Sequence, residues 1–207
     1  MKVASLKSIV LSALAVSCAG LVHGQTIGLQ TADTAESRAA GKAEVTAGAM
    51  LGSDLHFYGA RGTYTLLNEL RGFADVGLVG VSDADASFGA QIGALYSLPD
   101  EFISDLGIRA TGYYADTYRK GFLGGTLMLI SSDETLIPDL FVYGGLGVDI
   151  SRHEFHAIPG SDRYTKDETK PVGTVGLIYY FTQNVGVYTE GSYRDPDFFF
   201  GLGVKVR

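Results

Sequence analysis

The amino-acid sequence predicts an all-β fold, a closed antiparallel up-and-down transmembrane β-barrel of ten strands, with eight as the alternative count. From Ala43 on, apolar residues alternate with small, polar or charged ones, and turn signals separate the runs. The runs approach the roughly 9–11 residues that a tilted strand needs to cross a bilayer. Their charged residues fall opposite the apolar face, so a closed barrel would hold the charges inside and turn the apolar face to lipid.

The last three runs show this pattern most clearly. They are Thr174 to Phe181, Val185 to Tyr193 and Phe198 to Val206. In the final run the alternation puts apolar residues on one face and Lys205 on the other. Aromatic residues collect near strand ends, as expected for rings at the membrane interfaces; they include Tyr96, Tyr179, Phe181, Tyr193 and Phe198.

Composition narrows the class of protein. The chain has 28 glycines and 23 tyrosines and phenylalanines in its 207 residues, which suits the close backbone approaches of a barrel. Its net charge of −7 argues against a nucleic-acid partner. Soluble barrels and sandwiches use the same alternation. The N-terminal export signal and the mixed charge signs on the polar face favour the membrane barrel.

The N-terminus has the pattern of a secretory signal peptide, residues 1–24. Lys2 and Lys7 precede the apolar run from Ser8 to Leu21, and cleavage is expected after Gly24. The only cysteine, Cys18, lies in this segment, so no disulfide is expected. Residues 25–42 are predicted to be a flexible polar lead-in, with a periplasmic tether or a plug as the alternative. Residues 43–207 form the predicted barrel domain.

The polar face predicts a network of charges in the barrel lumen. We expect Glu190 to pair with Lys205 on the next strand. Because barrels of eight to ten strands are nearly filled by side chains, such a network favours a filled interior, and a narrow pore lined by these charges is the alternative. The predicted lumen residues are Glu44, Arg61, Asp75, Arg109, Glu190 and Lys205.

The polar stretch from Ser151 to Lys170 is predicted to be the longest exposed loop. His153, Glu154 and His156 lie in it. Such residues can ligate divalent ions, but their spacing is irregular, which favours a solvated loop. We therefore predict no metal and no cofactor.

With these features the chain resembles the small outer-membrane β-barrel proteins of Gram-negative bacteria. Gly201, Val204 and Val206 match the spacing of that class's C-terminal insertion signal, with valine where an aromatic residue is usual. The resemblance implies the outer-membrane lipid bilayer as the environment and the barrel assembly machinery as a partner. It also implies that the strand connections at the end bearing both chain termini are periplasmic. It names no extracellular partner.

Three functions remain open at this stage. The first is a non-enzymatic barrel with a structural or surface-interaction role, and the second is a narrow porin-like channel for ions or small solutes. The third is a barrel enzyme acting on lipid A or peptides. Omptin proteases use acidic residues with a histidine, and Asp83 and Asp85 stand at a strand end, but no histidine lies beside them in the sequence. Lipid A deacylases use a Ser-His pair, and Ser151 stands near His153 outside that family's sequence context.

Overall fold

A computed structural model describes residues 28–29, 31–53, 55–81, 86–99, 105–116, 120–155, 164–194 and 197–207. The predicted signal peptide lies outside these residues. Within them, no helix is long and apolar enough to cross a membrane. The strands are β1 (Ala43–Leu51), β2 (Leu55–Leu67), β3 (Leu70–Val81), β4 (Ser87–Ser97), β5 (Asp105–Asp116), β6 (Lys120–Glu134), β7 (Leu140–Phe155), β8 (Tyr164–Tyr180), β9 (Val185–Arg194) and β10 (Asp197–Val206).

The strands close into an antiparallel barrel. Each strand pairs with the next along the chain, and β1 pairs with β10 to complete the ring. The prediction of a closed ten-stranded up-and-down barrel is therefore confirmed. We call the end where β1 begins and β10 ends the terminal end, and the opposite end the far end.

The predicted loop from residue 151 to 170 is largely a β-ribbon, so that prediction was wrong. β7 continues to Phe155 and pairs with β8, which begins at Tyr164. β9 pairs with β8 only from Val172 onward, so residues 164–171 project past β9 at the far end. Pro171 is the residue of this projection nearest to β9. β8 has no partner there on the side of β9, so the strand tolerates the N–H donor that proline lacks. We call residues 148–155 with 164–171 the far ribbon.

The two faces of the wall are inverted relative to a soluble protein. Outward positions carry exposed aliphatic side chains along the middle of the strands, such as Ile92 at 68 % exposure and Leu127 at 53 %. Inward positions carry buried charges, such as Arg61 at 2 % and Asp149 at 0 %. An apolar exterior and a charged interior are what a barrel in lipid requires, because lipid solvates the outer face and the lumen pairs the charges.

Exposed aromatic residues lie in two belts. Tyr64, Tyr96 and Tyr179 lie towards the terminal end, and Phe88 and Tyr114 lie towards the far end. Eight residues separate Phe88 from Tyr96 in β4. At about 3.3 Å per residue and a tilt near 40° they span roughly 20 Å along the barrel axis, close to the height of an outer-membrane apolar band.

An inward row of glycines crosses five neighbouring strands. Gly203, Gly48, Gly59, Gly77 and Gly89 are successive cross-strand partners from β10 through β1 to β4. A Cβ on Gly48 would lie 2.4 Å from the Tyr188 hydroxyl oxygen, and one on Gly59 would lie 2.6 Å from the Phe57 ring. Bare backbone at this level thus lets large rings from the wall pack into the lumen.

The segment that precedes β1 lies inside the barrel. The side chains of Leu29, Thr31, Ala32, Thr34 and Ala35 are at most 1 % exposed. Residues 36–40 emerge at the terminal end, where Arg38 N–H donates to Asn68 O in the β2–β3 turn. We call the described residues 28–29 and 31–38 the lumen strap. The arrangement of these residues corresponds to the plug, the alternative to the predicted flexible lead-in, because the wall pairs with their backbone groups.

Candidate functional site: the occupied lumen

The middle of the lumen is organised by an ion pair between β2 and β3. Arg61 and Asp75 are direct cross-strand partners, and Arg61 Nε lies 2.6 Å from Asp75 Oδ1. A second bond joins Nη2 to Oδ2 at 2.8 Å. The guanidinium groups of Arg61 and Arg109 each lie 4.6 Å from the Phe73 ring centroid, within reach of a cation–π interaction.

A second cluster lies between the middle and the terminal end. Asp33 of the lumen strap accepts from Arg71 and Arg38, both at 3.1 Å. Lys205 lies 2.7 Å from Glu44 on the neighbouring strand and 3.5 Å from Asp33. Burial alone would lower the pKa of Arg38, but Asp33 and then Glu44 outweigh it and raise that pKa above the usual arginine value. The arginine therefore stays charged where the strap leaves the barrel.

The predicted pairing of Glu190 with Lys205 was wrong. Gly201, four residues before Lys205, is the cross-strand partner of Glu190, while Lys205 faces Gly186. Four residues separate the two side chains by roughly 13 Å along the strand, too far for an ion pair. Glu190 instead accepts from Tyr143 Oη at 2.6 Å and from the lumen strap.

The wall holds the lumen strap by its backbone N–H groups. Leu29 N donates to Asp75 Oδ2 at 2.9 Å. Thr31 N and Ala32 N donate to the two carboxylate oxygens of Glu190, at 3.2 and 2.8 Å.

Basic side chains hold the strap's carbonyl groups. Arg61 donates to the carbonyls of Leu29 and Thr31, the latter at 2.7 Å. Lys205 Nζ donates to Ala32 O, and Arg71 donates to Thr34 O, both at 2.5 Å. Buried charges require partners, and here peptide groups of the strap supply many of them.

Small side chains allow the strap to fit. Gly28 has a φ of +100°, and a Cβ there would lie 1.8 Å from Gln91 Oε1. Ala32 packs in a cluster with Tyr143, Ile178 and Tyr188. Ala35 packs with apolar residues of β4, β6 and β8. Leu29 is the large apolar side chain of the strap and reaches into the far half of the lumen.

Wall side chains fill the far half of the lumen. Arg194 is bonded to Asp149, and Asp149 also accepts from Tyr113 and Thr126. Around this cluster packs an apolar layer that meets Leu29 of the strap. Its wall members are Met50, Leu55, Phe57, Val79, Tyr113, Ala115, Phe122 and Phe199.

His153 is a buried strand residue and not part of an exposed loop, which corrects the prediction. It is 8 % exposed and stacks edge-on against Phe122 with centroids 5.3 Å apart. Its Nε2 lies 3.0 Å from Ser151 Oγ and 3.7 Å from Glu168 Oε2. A catalytic relay uses one ring nitrogen for the serine and the other for the acid, whereas Nε2 makes both of these contacts.

The far ribbon carries its charges at the edge of the lumen and on its outer face. Arg152 and Asp167 pair at 2.8 Å on exposed positions. Glu168 lies 2.5 Å from Lys166 and 2.9 Å from Lys170. Glu154 is exposed in β7, and the predicted loop residue His156 lies outside the described residues. Among the described residues, no group of three or more His, Cys, Asp or Glu side chains could hold a metal ion.

The residues of the predicted assembly signal lie in β10. Val204 and Val206 face outward at 44 % and 46 % exposure, and Gly201 faces the lumen. Arg207 follows the strand, and its guanidinium lies 3.7 Å from the Tyr180 ring centroid and 3.6 Å from Glu44. Arg207 thus contacts lumen residues at the terminal end of the barrel.

Several lumen residues were absent from the predicted network. Arg71 and Arg194 extend the same two-residue alternation as Asp75 and Glu190, and both are at most 1 % exposed. Alternation could have found them if β3 had been extended backwards and β9 forwards. Asp33 offers no such signal, because it belongs to no strand.

An even-stranded closed barrel with an apolar belt, aromatic rims and a charged lumen defines the class of outer-membrane β-barrels. No family model matches this chain, and no curated protein matches it. Solved structures of similar fold include the KdgM porin, at 13 % identity and a TM-score of 0.45, covering 79 % of this chain and 98 % of that one. The N-terminal β-barrel domain of Pseudomonas aeruginosa OprF has 16 % identity and a TM-score of 0.41, covering 82 % and 98 %. Neisserial surface protein A has 15 % identity and a TM-score of 0.40, covering 79 % and 96 %.

Proposed function

We propose that this protein is a non-enzymatic outer-membrane barrel with a structural or surface-interaction role and a lumen closed to solutes. The observation that carries the proposal is the lumen strap. A ten-stranded barrel encloses more space than an eight-stranded one, whose side chains just fill it. Here the strap occupies the added space, with its backbone paired to the wall.

Planar bilayer recording tests the closed lumen. Purified full-length protein should insert and show no steady conductance, because paired charges and the strap obstruct the path. A variant lacking residues 28–38 should also show no steady conductance, because wall side chains around Arg194 and Asp149 still close the far half of the lumen. Reproducible steps from the unaltered protein would instead support the narrow porin-like channel and overturn the closed lumen.

The surface role is assigned to the far ribbon. With both chain termini on the periplasmic side, the ribbon projects on the extracellular side. It exposes charged groups of both signs, among them Arg152, Glu154 and Asp167, and the edge of β8 beyond β9. Its extracellular partner would meet a polar edge and not an apolar patch. Labelling of a single cysteine placed at Glu154 on intact cells, without labelling of one placed at Ser37, tests this orientation.

The enzyme hypothesis has less support. Ser151 and His153 are in contact, but both are buried inside the lumen. Arg194 also donates to Ser151 Oγ at 3.0 Å, which withdraws electron density from the oxygen that would attack. Assays of lipid A and peptide cleavage with the unaltered protein and His153→Ala should show no difference.

Assembly is proposed to use the C-terminal strand. Val204 and Val206 present the apolar pair of the insertion signal on the outer face. Val206→Asp should reduce the amount of heat-modifiable folded barrel in cells, because it removes the last apolar residue that the assembly machinery would meet. The matched change Arg207→Gln should leave that amount near the unaltered level.

A further inference from the structure

We infer that the lumen, from its middle to its terminal end, is a binding site for an extended peptide with small side chains, and that the lumen strap is its resident, exchangeable occupant. This deepens the proposed closed lumen and rests on it. The site recognises main-chain groups through charged and hydroxyl side chains of the barrel wall. It also pairs the carboxylate of one strap residue, Asp33, with Arg71 and Lys205. Its ligand class is therefore an extended peptide with small side chains and one acidic residue.

The contacts that hold the strap come from the barrel wall. The backbone of the strap is held by side chains from six of the ten strands, and they reach it from around the barrel wall. They are Arg61 of β2, Arg71 and Asp75 of β3, Ser97 of β4, Ser132 of β6, Glu190 of β9 and Lys205 of β10. The barrel register closes through β1 and β10 without any strap residue. The wall is thus a complete receptor around a separate linear segment.

Most of these contacts are hydrogen bonds to backbone groups of the strap. Thr31 donates its N–H to Glu190 and accepts at its carbonyl from Arg61, yet its buried hydroxyl oxygen Oγ1 has no hydrogen-bond partner among the described residues. Ala32 likewise donates to Glu190 and accepts from Lys205. Acidic groups take N–H donors and basic groups take carbonyl oxygens, as recognition of a peptide main chain requires.

The site holds one residue of the strap in a strained backbone conformation. Ala32 has a φ of +39°, in the left-handed region that disfavours a side chain. Such a conformation persists where its surroundings hold it in place, and it clusters at ligand clamps. Glu190 and Lys205 grip the two polar groups of this one residue. The wall therefore imposes the conformation of the strap.

The segment through which the strap leaves the barrel is accessible from the terminal end. Ala39 and Ala40 are exposed, and a Cβ on Gly41 would meet nothing within 4 Å. Beside them a cavity of about 490 Å³ opens at the terminal end, lined among others by Glu36, Lys42 and Gln183. The junction between the strap and β1 is therefore accessible, and a peptide has room to enter there.

The experiment uses the full chain with a recognition site for a sequence-specific protease inserted after Ala39. The protein is folded in detergent and cut, so that residues before the cut are held only by the lumen. It is then incubated with a fluorescent peptide of residues 25–39, both directly and during unfolding and refolding in urea. We expect the labelled peptide to co-elute with the barrel in gel filtration and excess unlabelled peptide to displace it.

Peptide variants separate backbone recognition from general stickiness. N-methylation of Ala32, which removes its N–H, and Ala35→Leu, which overfills a packed position, should each weaken binding at least ten-fold. Thr31→Val should bind as the unaltered peptide does, because the hydroxyl has no partner to lose. Ala39→Leu is the matched control for Ala35→Leu, since Ala39 is exposed, and it should also bind normally.

Two results would overturn the inference. One is a cut barrel that admits no labelled peptide even after refolding, which would make the strap an inseparable part of the fold. The other is equal binding of all four variants. Either result from a protein that shows no conductance before cutting leaves the closed lumen standing. Conductance of the uncut protein would remove the proposed function itself.

Discussion

Both halves of the lumen contain buried charges, but the two halves fill their space differently. In the far half, Arg194, Asp149 and Tyr113 all come from the wall and pair with one another. Nε and Nη1 of Arg194 are buried without a hydrogen-bond partner among the described residues. Towards the terminal end, Asp75, Glu190 and Lys205 depend partly on peptide groups of the lumen strap. One half is closed by the barrel itself. The other is closed by the lumen strap, which is joined to the wall through residues 39–42 at the start of β1.

This difference teaches what a charged lumen can be used for. Buried ions cost free energy unless they are paired and hydrogen-bonded. A wall that pairs its ions with one another stabilises the barrel without help from another segment. A wall whose ions take their hydrogen-bond partners from a separate segment has the properties of a binding site.

The largest effect is expected from removing one arginine in each half. Arg61→Met and Arg194→Met each leave a buried aspartate without its cation, and each should lower the free energy of unfolding in urea by about 3–5 kcal/mol. A second measurement, limited proteolysis of the folded barrel, distinguishes the two variants. Arg61→Met should release the lumen strap to protease, because Arg61 holds two of its carbonyls.

Arg194→Met should leave the strap protected despite a similar loss of stability. Protease access in both variants, or in neither, would contradict the division of the lumen into a self-closed half and a strap-closed half.

The outer face provides the next largest effect and a reference for both halves. Leu127 lies near the middle of β6 and is 53 % exposed. Leu127→Arg should cost about 2–4 kcal/mol in urea unfolding from lipid vesicles, because the charge would face the bilayer midplane. Leu136→Arg is its control: Leu136 is 81 % exposed in the β6–β7 turn, outside the apolar belt, and its stability should change little. Equal losses at the two sites would contradict the assignment of the belt to lipid.

The sequence predicted the wall better than its contents, and the reason is physical. Alternation follows from strand geometry, so ten strands, their order and the inward direction of Arg61 and Lys205 could be read from periodicity. The partner of Lys205 could not, because register decides which residues of neighbouring strands face each other. Turn signals also made the predicted β3 begin too late, which excluded Arg71, and made the predicted β9 end too early, which excluded Arg194.

The lumen strap was predicted only as the plug alternative, and the reason differs from that for Lys205. Its residues are small and polar and have no periodicity, which is also the signature of a mobile terminus. What orders the strap is a ring of wall side chains distant in sequence, such as Glu190 and Lys205. A segment bound by its backbone leaves little trace in its own side chains.

A smaller effect is expected where the strap begins. Gly28→Ala places a Cβ at 1.8 Å from Gln91 Oε1 and forces alanine to adopt a φ of +100°. We expect a loss of about 1–3 kcal/mol in urea unfolding, as for overpacking in other cores. Gly62→Ala is the control, since a Cβ there meets nothing within 4 Å, and it should be nearly neutral. A neutral Gly28→Ala would show that the strap does not pack against Gln91 and Asp75.

The smallest effect concerns the far ribbon, beyond the part of the wall that crosses the membrane. Burial alone would raise the pKa of Glu168, but its hydrogen bonds with Lys166 and Lys170 outweigh burial and lower that pKa to about 2. A carboxyl with a lowered pKa stabilises the folded state above its unfolded pKa, and this contribution is lost as pH falls through the folded pKa. Glu168→Gln should therefore be less stable than the unaltered protein at pH 7 and equal to it near pH 2. Urea unfolding at the two pH values measures this gap, with Glu154→Gln on the outer face of the same ribbon as control. A gap that persists unchanged at pH 2 would mean that the lysines do not hold Glu168 through its charge.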